Sequence, residues 1–293
     1  MKALELYQIG VARLREAGLA DPEIEASILL CHLLKISRPE LFLHREDLSA
    51  SLINSYHELI TRRSSREPLA YIAGEWEFWS LPFSVSPEVL IPRPETEVLI
   101  EHALNVWADK DINNNMPLRI LDMGSGSGII SVVLAKELPG ALIYSLDIDR
   151  RAQKVARENA GRHNVLDRIF FFNADWLQAV RPEPLFDLVV SNPPYVARET
   201  FAGLQPEVRD FEPRLALDGG EGGLVEIKRL AGDLAAVLKP GGYFLMEIGA
   251  DQKDEVITAF TGLGEFGEPV VFNDYAGLPR VLQVRKTGNG SRF

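Results

Sequence analysis

The chain has 293 residues, 46% of them hydrophobic and 25% charged. That is the composition of an ordinary globular protein, long enough for one large domain plus a smaller one. The net charge of −11 argues against a broad grip on a nucleic-acid backbone, and no run approaches the roughly 18 apolar residues of a membrane-spanning helix. The single cysteine, Cys31, excludes an internal disulfide framework and suits a reducing, cytoplasmic setting. It makes no ligand-like spacing with His32, His44, His57, His102 or His163, so no metal site is expected.

Residues 1 to about 66 read as several helices. The opening MKALELYQIGVARLREAGLADPE mixes charges into its apolar positions and so reads as a helix, not a signal peptide. Leu4, Ile9 and Leu14, then Ile24, Ile28, Leu29 and Leu33, recur at helical spacing, and Asp21-Pro22 makes an N-cap with proline in the first turn. Leu48-Ser49 opens another helix, carrying Leu52, Ile53, Tyr56, Leu59 and Ile60. Near its end lies the densest basic cluster, Arg62, Arg63 and Arg66, which reads as a solvated helix end. From Pro68 the period changes. LAYIAGEWEFWSLPFSVSPEVLIP places aromatic and alternating residues around Gly74 and predicts a hairpin connecting two domains. PRPETEVLIEHALNVWA then starts a helix with Glu95 and Glu97 at its front, and DINNNMP is a polar loop.

Beyond that loop strands and helices alternate. Strands are predicted at 119–123, 142–146, 169–172, 186–191, 243–248, 270–272 and 281–284, and helices at 129–138, 151–163, 224–238 and 253–260. The alternation means an α/β fold whose parallel sheet is covered on both faces. The tail KTGNGSRF is expected to be disordered.

Chemistry-bearing residues gather at strand ends. LDMGSGSG (121–128) follows the first strand of this region and opens a helix, with Gly124, Ser125, Gly126, Ser127 and Gly128 able to bring backbone close to a ligand. It departs from the dinucleotide fingerprint G-x-G-x-x-G because position 129 is Ile, which disfavours a pyrophosphate clamp. Asp147 ends the second strand, 19 residues past Gly128, where an acid can accept both hydroxyls of a ribose. Asp149 is the alternative acid, or the cap of the following helix. At the third strand end Asp175 can accept from an exocyclic adenine amine, and Trp176 offers a flat face or packs in the core. The fourth strand ends in SNPPYV. Proline donates nothing to a sheet ladder, so that strand stops at Asn192, and the tetrapeptide is either a terminator and turn or part of a site. Ligands of open α/β sheets sit beyond the carboxyl ends of the strands, so the four ends together are more specific than any one.

The joint pattern resembles class I S-adenosylmethionine-dependent methyltransferases, and N-P-P-Y marks those that methylate planar nitrogens. With REPLAYIAGEWEFWSLPFSVSPEVLIPRPETEVLIEHAL, DMGSGSG, FEPRLALDGGEGGL and LKPGGYFLMEIG, the chain from about Arg66 to Val284 resembles the HemK/PrmC family of release-factor glutamine methyltransferases. IPRPETE is the most discriminating piece. Met123-Gly124-Ser125 stands where relatives usually show Leu-Gly-Thr, and Ser125 keeps the hydroxyl.

The resemblance implies a Rossmann-like, mostly parallel seven-stranded sheet, a small helical domain at 1–67 that holds the protein substrate, a β-hairpin linker at 68–90 and a methyltransferase domain at 91–293. It implies S-adenosyl-L-methionine as cofactor, S-adenosyl-L-homocysteine as product, and no metal. The implied substrate is N5 of the glutamine in the GGQ motif of peptide chain release factors, without stable nucleic-acid binding or a membrane. Gly124, Ser125, Gly126, Ser127, Gly128, Asp147, Asp175, Trp176 and Asn192 would surround the cofactor, and Asn192, Pro193, Pro194 and Tyr195 the glutamine.

A planar amide nitrogen is a poor nucleophile, so the task is mostly orientation. The Asn192 side-chain oxygen can accept one N–H and the carbonyl of Pro193 or Pro194 the other. Two acceptors fix the plane of the NH₂ and favour charge building on nitrogen, while Tyr195 walls the amide. Glu95 and Glu97 either order the cofactor or a lid, or answer the helix dipole. Glu212 and Arg214 either line the mouth of the site or pair with each other. The rival readings are a nucleic-acid methyltransferase acting on adenine N6 or guanine N2, an NAD-dependent oxidoreductase, which leaves N-P-P-Y without a role, and a non-catalytic cofactor-binding module.

Overall fold

A computed structural model describes residues 1–108 and 117–288. The expected polar loop at 111–117, apart from Pro117, and the end of the expected disordered tail lie outside the described residues. Five helices come first: α1 (Ala3–Glu16), α2 (Pro22–Leu34), α3 (Arg38–Leu43), α4 (Ala50–Ser64) and α5 (Leu69–Ala73). A hairpin of β1 (Glu75–Phe78) and β2 (Leu81–Ser84) leads to α6 (Thr96–Ala108). The alternating region runs β3 (Arg119–Met123), α7 (Ile129–Glu137), β4 (Leu142–Asp147), α8 (Arg150–Arg162), β5 (Ile169–Asn173) and β6 (Phe186–Ser191). It closes with α9 (Pro206–Phe211), α10 (Val225–Val237), β7 (Leu238–Glu247), α11 (Lys253–Thr261), β8 (Val270–Asn273) and β9 (Pro279–Arg285).

The chain forms two compact units, Met1–Glu75 with Gln205–Phe211, and Trp76–Leu204 with Glu212–Phe293. In the smaller unit the helix starts follow capping chemistry. The Ser49 side chain accepts from the Leu52 N–H at 3.3 Å, and Ser37 and Glu40 form a capping box. Pro22 opens α2 as expected, but Asp21 makes no side-chain cap bond. The buried face includes Ala3, Leu6, Gly10, Val11 and Leu14 of α1 with Ala26, Leu29 and Leu30 of α2, whereas Ile9, Ile24 and Ile28 are exposed. Helix α2 is apolar on most sides, so spacing alone does not select its buried face. Tyr56 fills the centre and donates to the Ala26 carbonyl at 3.1 Å. It requires glycine at position 10, where a Cβ would lie 2.1 Å from its hydroxyl.

The basic cluster is not a solvated helix end. Arg63 is 5% exposed and its guanidinium reaches Glu25 at 2.6 Å and Glu207 at 3.0 Å. Arg66 also meets Glu207, at 2.8 Å, and Arg62 pairs with Glu67. Sequence proximity suggested a free patch because Glu207, on α9, lies far along the chain.

In the larger unit the hairpin turns at Trp79-Ser80, not at Gly74. Both turn residues have positive φ, 54° and 55°, as a two-residue primed turn requires, while Gly74 is the left-handed cap that ends α5. The turn lacks glycine and asparagine and is held from outside. The Trp79 backbone N–H donates to Glu97 Oε1 and its indole N–H to Glu137 Oε1, both at 2.9 Å. Glu97 is therefore an anchor for the hairpin.

The main sheet has seven strands in the order β5-β4-β3-β6-β7-β9-β8, parallel except that β9 runs antiparallel to both neighbours. Strand β7 starts at Leu238, ahead of the expected 243, carrying Lys239-Pro240-Gly241-Gly242 beside a register irregularity against β6. Alternate strand residues face two cores. Ile120, Leu188 and Val190 pack with α6 and α7, while Leu121, Val189 and Phe244 pack with α10 and α11. The chain steps from β3 outward to β4 and β5, then returns to place β6 on the other side of β3. That reversal is the topological switch point where open α/β sheets hold ligands. Register aligns the ends there, with Met123 opposite Leu146 and Ser191, and Asp147 opposite Asn173.

Candidate active site

A cleft lies beyond these carboxyl ends, lined among others by Gly124, Ser125, Gly126, Ser127, Asp147, Asp175, Trp176, Asn192 and Pro194. The loop after β3 is a series of left-handed turns, with φ of 74° at Gly124, 52° at Gly126 and 81° at Gly128. At Gly128 a Cβ would also lie 2.9 Å from that of Ala156, so glycine there lets α7 start against α8.

Asp147 builds this loop. Its Oδ2 accepts the Gly126 N–H and its Oδ1 the Asp149 N–H, each at 2.8 Å. Burial pushes its carboxyl up, and the N–H groups of Asp149 and Gly126 pull it down. Two carboxylate oxygens offer about four acceptor positions, so capacity for ligand hydroxyls remains. Asp149 caps α8, accepting the Arg151 N–H at 2.8 Å, and pairs with the Arg151 guanidinium. The two acids thus divide between loop and helix.

Asp175 Oδ2 meets Arg229 Nη2 at 2.9 Å and Gln178 Nε2 at 3.1 Å. Trp176 is half-buried at φ 47°, its indole N–H donating to Glu226 Oε2 at 2.6 Å, and its ring would lie 3.7 Å from a Cβ at Gly124. It lines the cleft and also packs against one core. Glu226 and Arg229, one turn apart on α10, were invisible in the sequence, where an i, i+3 charge pair is an ordinary surface feature.

The Asn-Pro-Pro-Tyr segment is wired to two other strand and helix ends. Asn192 Nδ2 donates to Thr96 Oγ1 at 3.2 Å, and the Thr96 hydroxyl donates to Glu247 Oε2 at 2.7 Å. The Tyr195 hydroxyl donates to Glu247 Oε1 at 3.0 Å. Glu247 has no exposed surface. Burial pushes its carboxyl up, opposed by the Thr96 and Tyr195 hydroxyls and the Arg280 charge, and burial also drives the Tyr195 phenol far up. The Pro194 carbonyl is packed against Gly219, where a Cβ would come within 2.8 Å of it, and Pro193 is buried. Glu212 pairs with Arg93 and accepts the Ile91 N–H at 3.2 Å, tying down the IPRPETE loop, while Arg214 pairs with Asp218 at 3.3 Å. Glu212 and Arg214 do not pair with each other. Thr96, Glu247 and Arg93 sat inside quoted motifs without a legible role, because their partners lie 96 to 151 residues away or on another loop.

The lining carries six acidic side chains (Glu88, Asp147, Asp149, Asp175, Asp218 and Glu226) against two arginines, Arg93 and Arg229. Both arginines are already in ion pairs. Asp149, Asp175, Asp218 and Glu226 are paired as well, so it is Glu88 and Asp147 that tilt the wall toward a cationic ligand and away from a pyrophosphate. The buried Ser125 hydroxyl has no hydrogen-bond partner among the described residues, and the glycine loop presents bare backbone. A nucleoside bearing a sulfonium, as in S-adenosylmethionine, fits this donor and acceptor set. Among the described residues no group of three or more His, Cys, Asp and Glu is placed to hold a metal ion. No helix of the described residues is long and apolar enough to cross a membrane.

Known proteins agree with this architecture. The PrmC N-terminal domain matches residues 5–74, and the methyltransferase small domain matches residues 104–207. Among solved structures, a methyltransferase from Pyrococcus furiosus superposes with a TM-score of 0.52 at 16% identity over 72% of this chain and 91% of that one. The hMettl16 catalytic domain, solved with an RNA hairpin, gives 0.56 at 16% identity over 85% and 86%. At such identities these likenesses speak for the fold alone. A release factor glutamine methyltransferase of Koribacter versatilis is 40% identical over 98% of this chain and 99% of its own length. That of Caulobacter vibrioides is 40% identical over 86% of each chain, and that of Vibrio cholerae 39% identical over 92% and 91%. With full-length likeness of this degree joined to a methyltransferase sheet and its cleft, the chain belongs to the release factor glutamine methyltransferase family, whose members are S-adenosylmethionine-dependent enzymes.

Proposed function

We propose that the protein transfers a methyl group from S-adenosyl-L-methionine to the side-chain amide nitrogen, N5, of the glutamine in the GGQ motif of a peptide chain release factor. The observation that carries this reading is the Asn192 amide, whose Nδ2 is committed to Thr96 and whose Oδ1 is therefore available at the cleft. When bound, S-adenosylmethionine supplies an electrophilic methyl group with a neutral thioether as its leaving group. Asp147 would accept from its ribose, the Gly124 to Gly128 loop would meet it with bare backbone, and Asp175 and Trp176 would hold its base. The acidic wall favours its positive charge.

On the substrate side, Asn192 Oδ1 accepts one hydrogen of the glutamine NH₂. The carbonyl of Pro193 or of Pro194, the latter a lining residue of the cleft, is the second acceptor. Two fixed acceptors hold the nitrogen in one plane and stabilise the positive charge that builds on it, and the methylated nitrogen, now strongly acidic, gives up one of its two protons to water. Proline serves there because its φ is locked and it has no N–H to compete. The helices of residues 1–67 hold the rest of the factor, with 68–90 as linker and 91–293 as the catalytic domain. The nucleic-acid alternative needs a phosphate grip. A net charge of −11 and arginines already paired with carboxylates speak against it.

The test is transfer from labelled cofactor to intact release factor, to a factor with the GGQ glutamine replaced by alanine, and to DNA and RNA, with the modified residue located by mass spectrometry. Label is expected on the intact factor alone. Label on nucleic acid, or persisting on the alanine factor, overturns the proposal.

A further inference from the structure

We infer that Thr96 and Glu247 are positioning residues for the transfer, the Glu247 carboxylate fixing the direction of the Thr96 hydroxyl and that hydroxyl fixing which end of the Asn192 amide faces the cleft. The inference deepens the proposed glutamine clamp and rests on it.

An asparagine side chain can be turned end for end within one envelope, exchanging an acceptor for a donor. Turned the wrong way, Asn192 would present its NH₂ to the NH₂ of the substrate, donor against donor. Nothing within the tetrapeptide decides between the two orientations. Thr96 does. Its hydroxyl has a single hydrogen and lies between Glu247 Oε2 at 2.7 Å and Asn192 at 3.2 Å. With Glu247 ionised, the form that the Thr96 and Tyr195 hydroxyls and the Arg280 charge favour against burial, the carboxylate only accepts, so the hydrogen goes to Glu247. The Thr96 oxygen can then only accept from Asn192, and only the NH₂ end of the amide satisfies it. Oδ1 is left for the cleft.

The second carboxylate oxygen acts on Tyr195 in the same way, taking its hydroxyl at 3.0 Å and setting the ring that walls the amide. One carboxylate at the end of β7 thus orders both ends of Asn-Pro-Pro-Tyr, Tyr195 directly and Asn192 through the first residue of α6. This accounts for a glutamate with no exposed surface, a placement that is costly unless its oxygens are used.

Thr96→Val removes the hydroxyl at nearly constant shape, and Thr96→Ser keeps it. The valine variant is expected to lose about 10- to 100-fold in kcat, the scale of a small misplacement of a reacting group. Its cofactor affinity by calorimetry and its KM for release factor should hardly move, and the serine variant should recover most of the loss. Glu247→Gln keeps the shape but can donate to Thr96, freeing the threonine hydrogen for Asn192, and should fall as the valine variant does. In an Asn192→Ala background, Thr96→Val should cost nothing further.

The side-chain NH₂ resonances of Asn192, assigned by their loss in Asn192→Ala, should exchange slowly with solvent in the wild type and faster in Thr96→Val. Thermal unfolding verifies that each variant is folded, and the valine and serine pair decides the matter if Glu247→Gln is not. Wild-type turnover in Asn192→Ala removes the clamp, and this inference with it. An inactive Asn192→Ala beside a fully active Thr96→Val, or a serine variant as impaired as the valine one, leaves the clamp standing and overturns the positioning role.

Discussion

In the proposed reading Asp147 and Asn192 divide the two tasks of the cleft, and single substitutions should separate them. Asp147→Ala removes acceptors for the ribose and also the anchor of the Gly126 and Asp149 N–H groups. Cofactor binding should weaken by about 1.5–3 kcal/mol, the scale of hydrogen bonds to a charged group. Calorimetry giving unchanged affinity in a folded variant would remove Asp147 from the site. Asn192→Ala should do the opposite, leaving affinity nearly intact while kcat falls by roughly two orders of magnitude or more, because the lost contacts orient the nucleophile. Single-turnover rates measured at saturating cofactor check this, and a near-normal rate contradicts it. These residues were legible because each closes a strand of a recognisable order. What the sequence left open was choice among neighbours. Asp147 and Asp149 are told apart only by where the backbone N–H groups of Gly126, Asp149 and Arg151 come to lie.

At the scale of elements, periodicity located strands and helices well wherever hydrophobic runs are bounded by turn residues, as in β3, β6 and α7. It failed where a distant partner decides the geometry. The hairpin turns on Trp79-Ser80 because Glu97 and Glu137 hold it, and Arg63 is buried because Glu25 and Glu207 meet it. Strand β3 carries a different tension. Asp122 is wholly buried, with Ser131 donating to one oxygen at 2.6 Å and no partner for the other among the described residues. Burial pushes its carboxyl up to about 7, against the Ser131 hydrogen bonds and helped by the negative Asp147. The folded protein therefore keeps a proton that the unfolded chain has released above its ordinary value of 3.8. Stability must fall as pH rises through that window, by about 1.4 kcal/mol per unit of difference, and the loss is complete above the folded value. Asp122→Asn is neutral in both states and still accepts from Ser131. Its melting temperature should exceed that of the wild type at pH 8, with the excess shrinking toward pH 4. A pH-independent difference between the two proteins would show that Asp122 does not titrate in this window.

On the scale of the whole molecule, the acidic balance and the paired arginines bear on how the substrate is met. A protein that reads phosphates sheds bound counterions, and its affinity falls steeply as salt rises. Here the densest basic cluster is neutralised by Glu25, Glu67 and Glu207 inside the helical unit, and the net charge is −11. That neutralisation was not legible in the sequence, since residues 205–211 belong to the helical unit although they lie inside the stretch of the other. Recognition of a release factor must then rest on surface beyond the glutamine, with binding energy from remote contacts used to orient the reacting amide. A short peptide spanning the GGQ motif keeps the nucleophile and its flanking glycines, which pass the clamp without side-chain clashes, but loses the remote contacts. Its kcat/KM should therefore lie well below that of the intact factor, with kcat reduced as well as KM raised. Methylation of the factor should survive nuclease treatment, and log(kcat/KM) should change far less steeply with log[salt] than for an enzyme neutralising several phosphates, for which the slope approaches about −0.9 per contact. Initial rates on peptide and factor between low and moderate salt measure both quantities. Equal kcat/KM for the two substrates would strip the helical unit of any part in binding, and a slope of several units would return the nucleic-acid reading to the front.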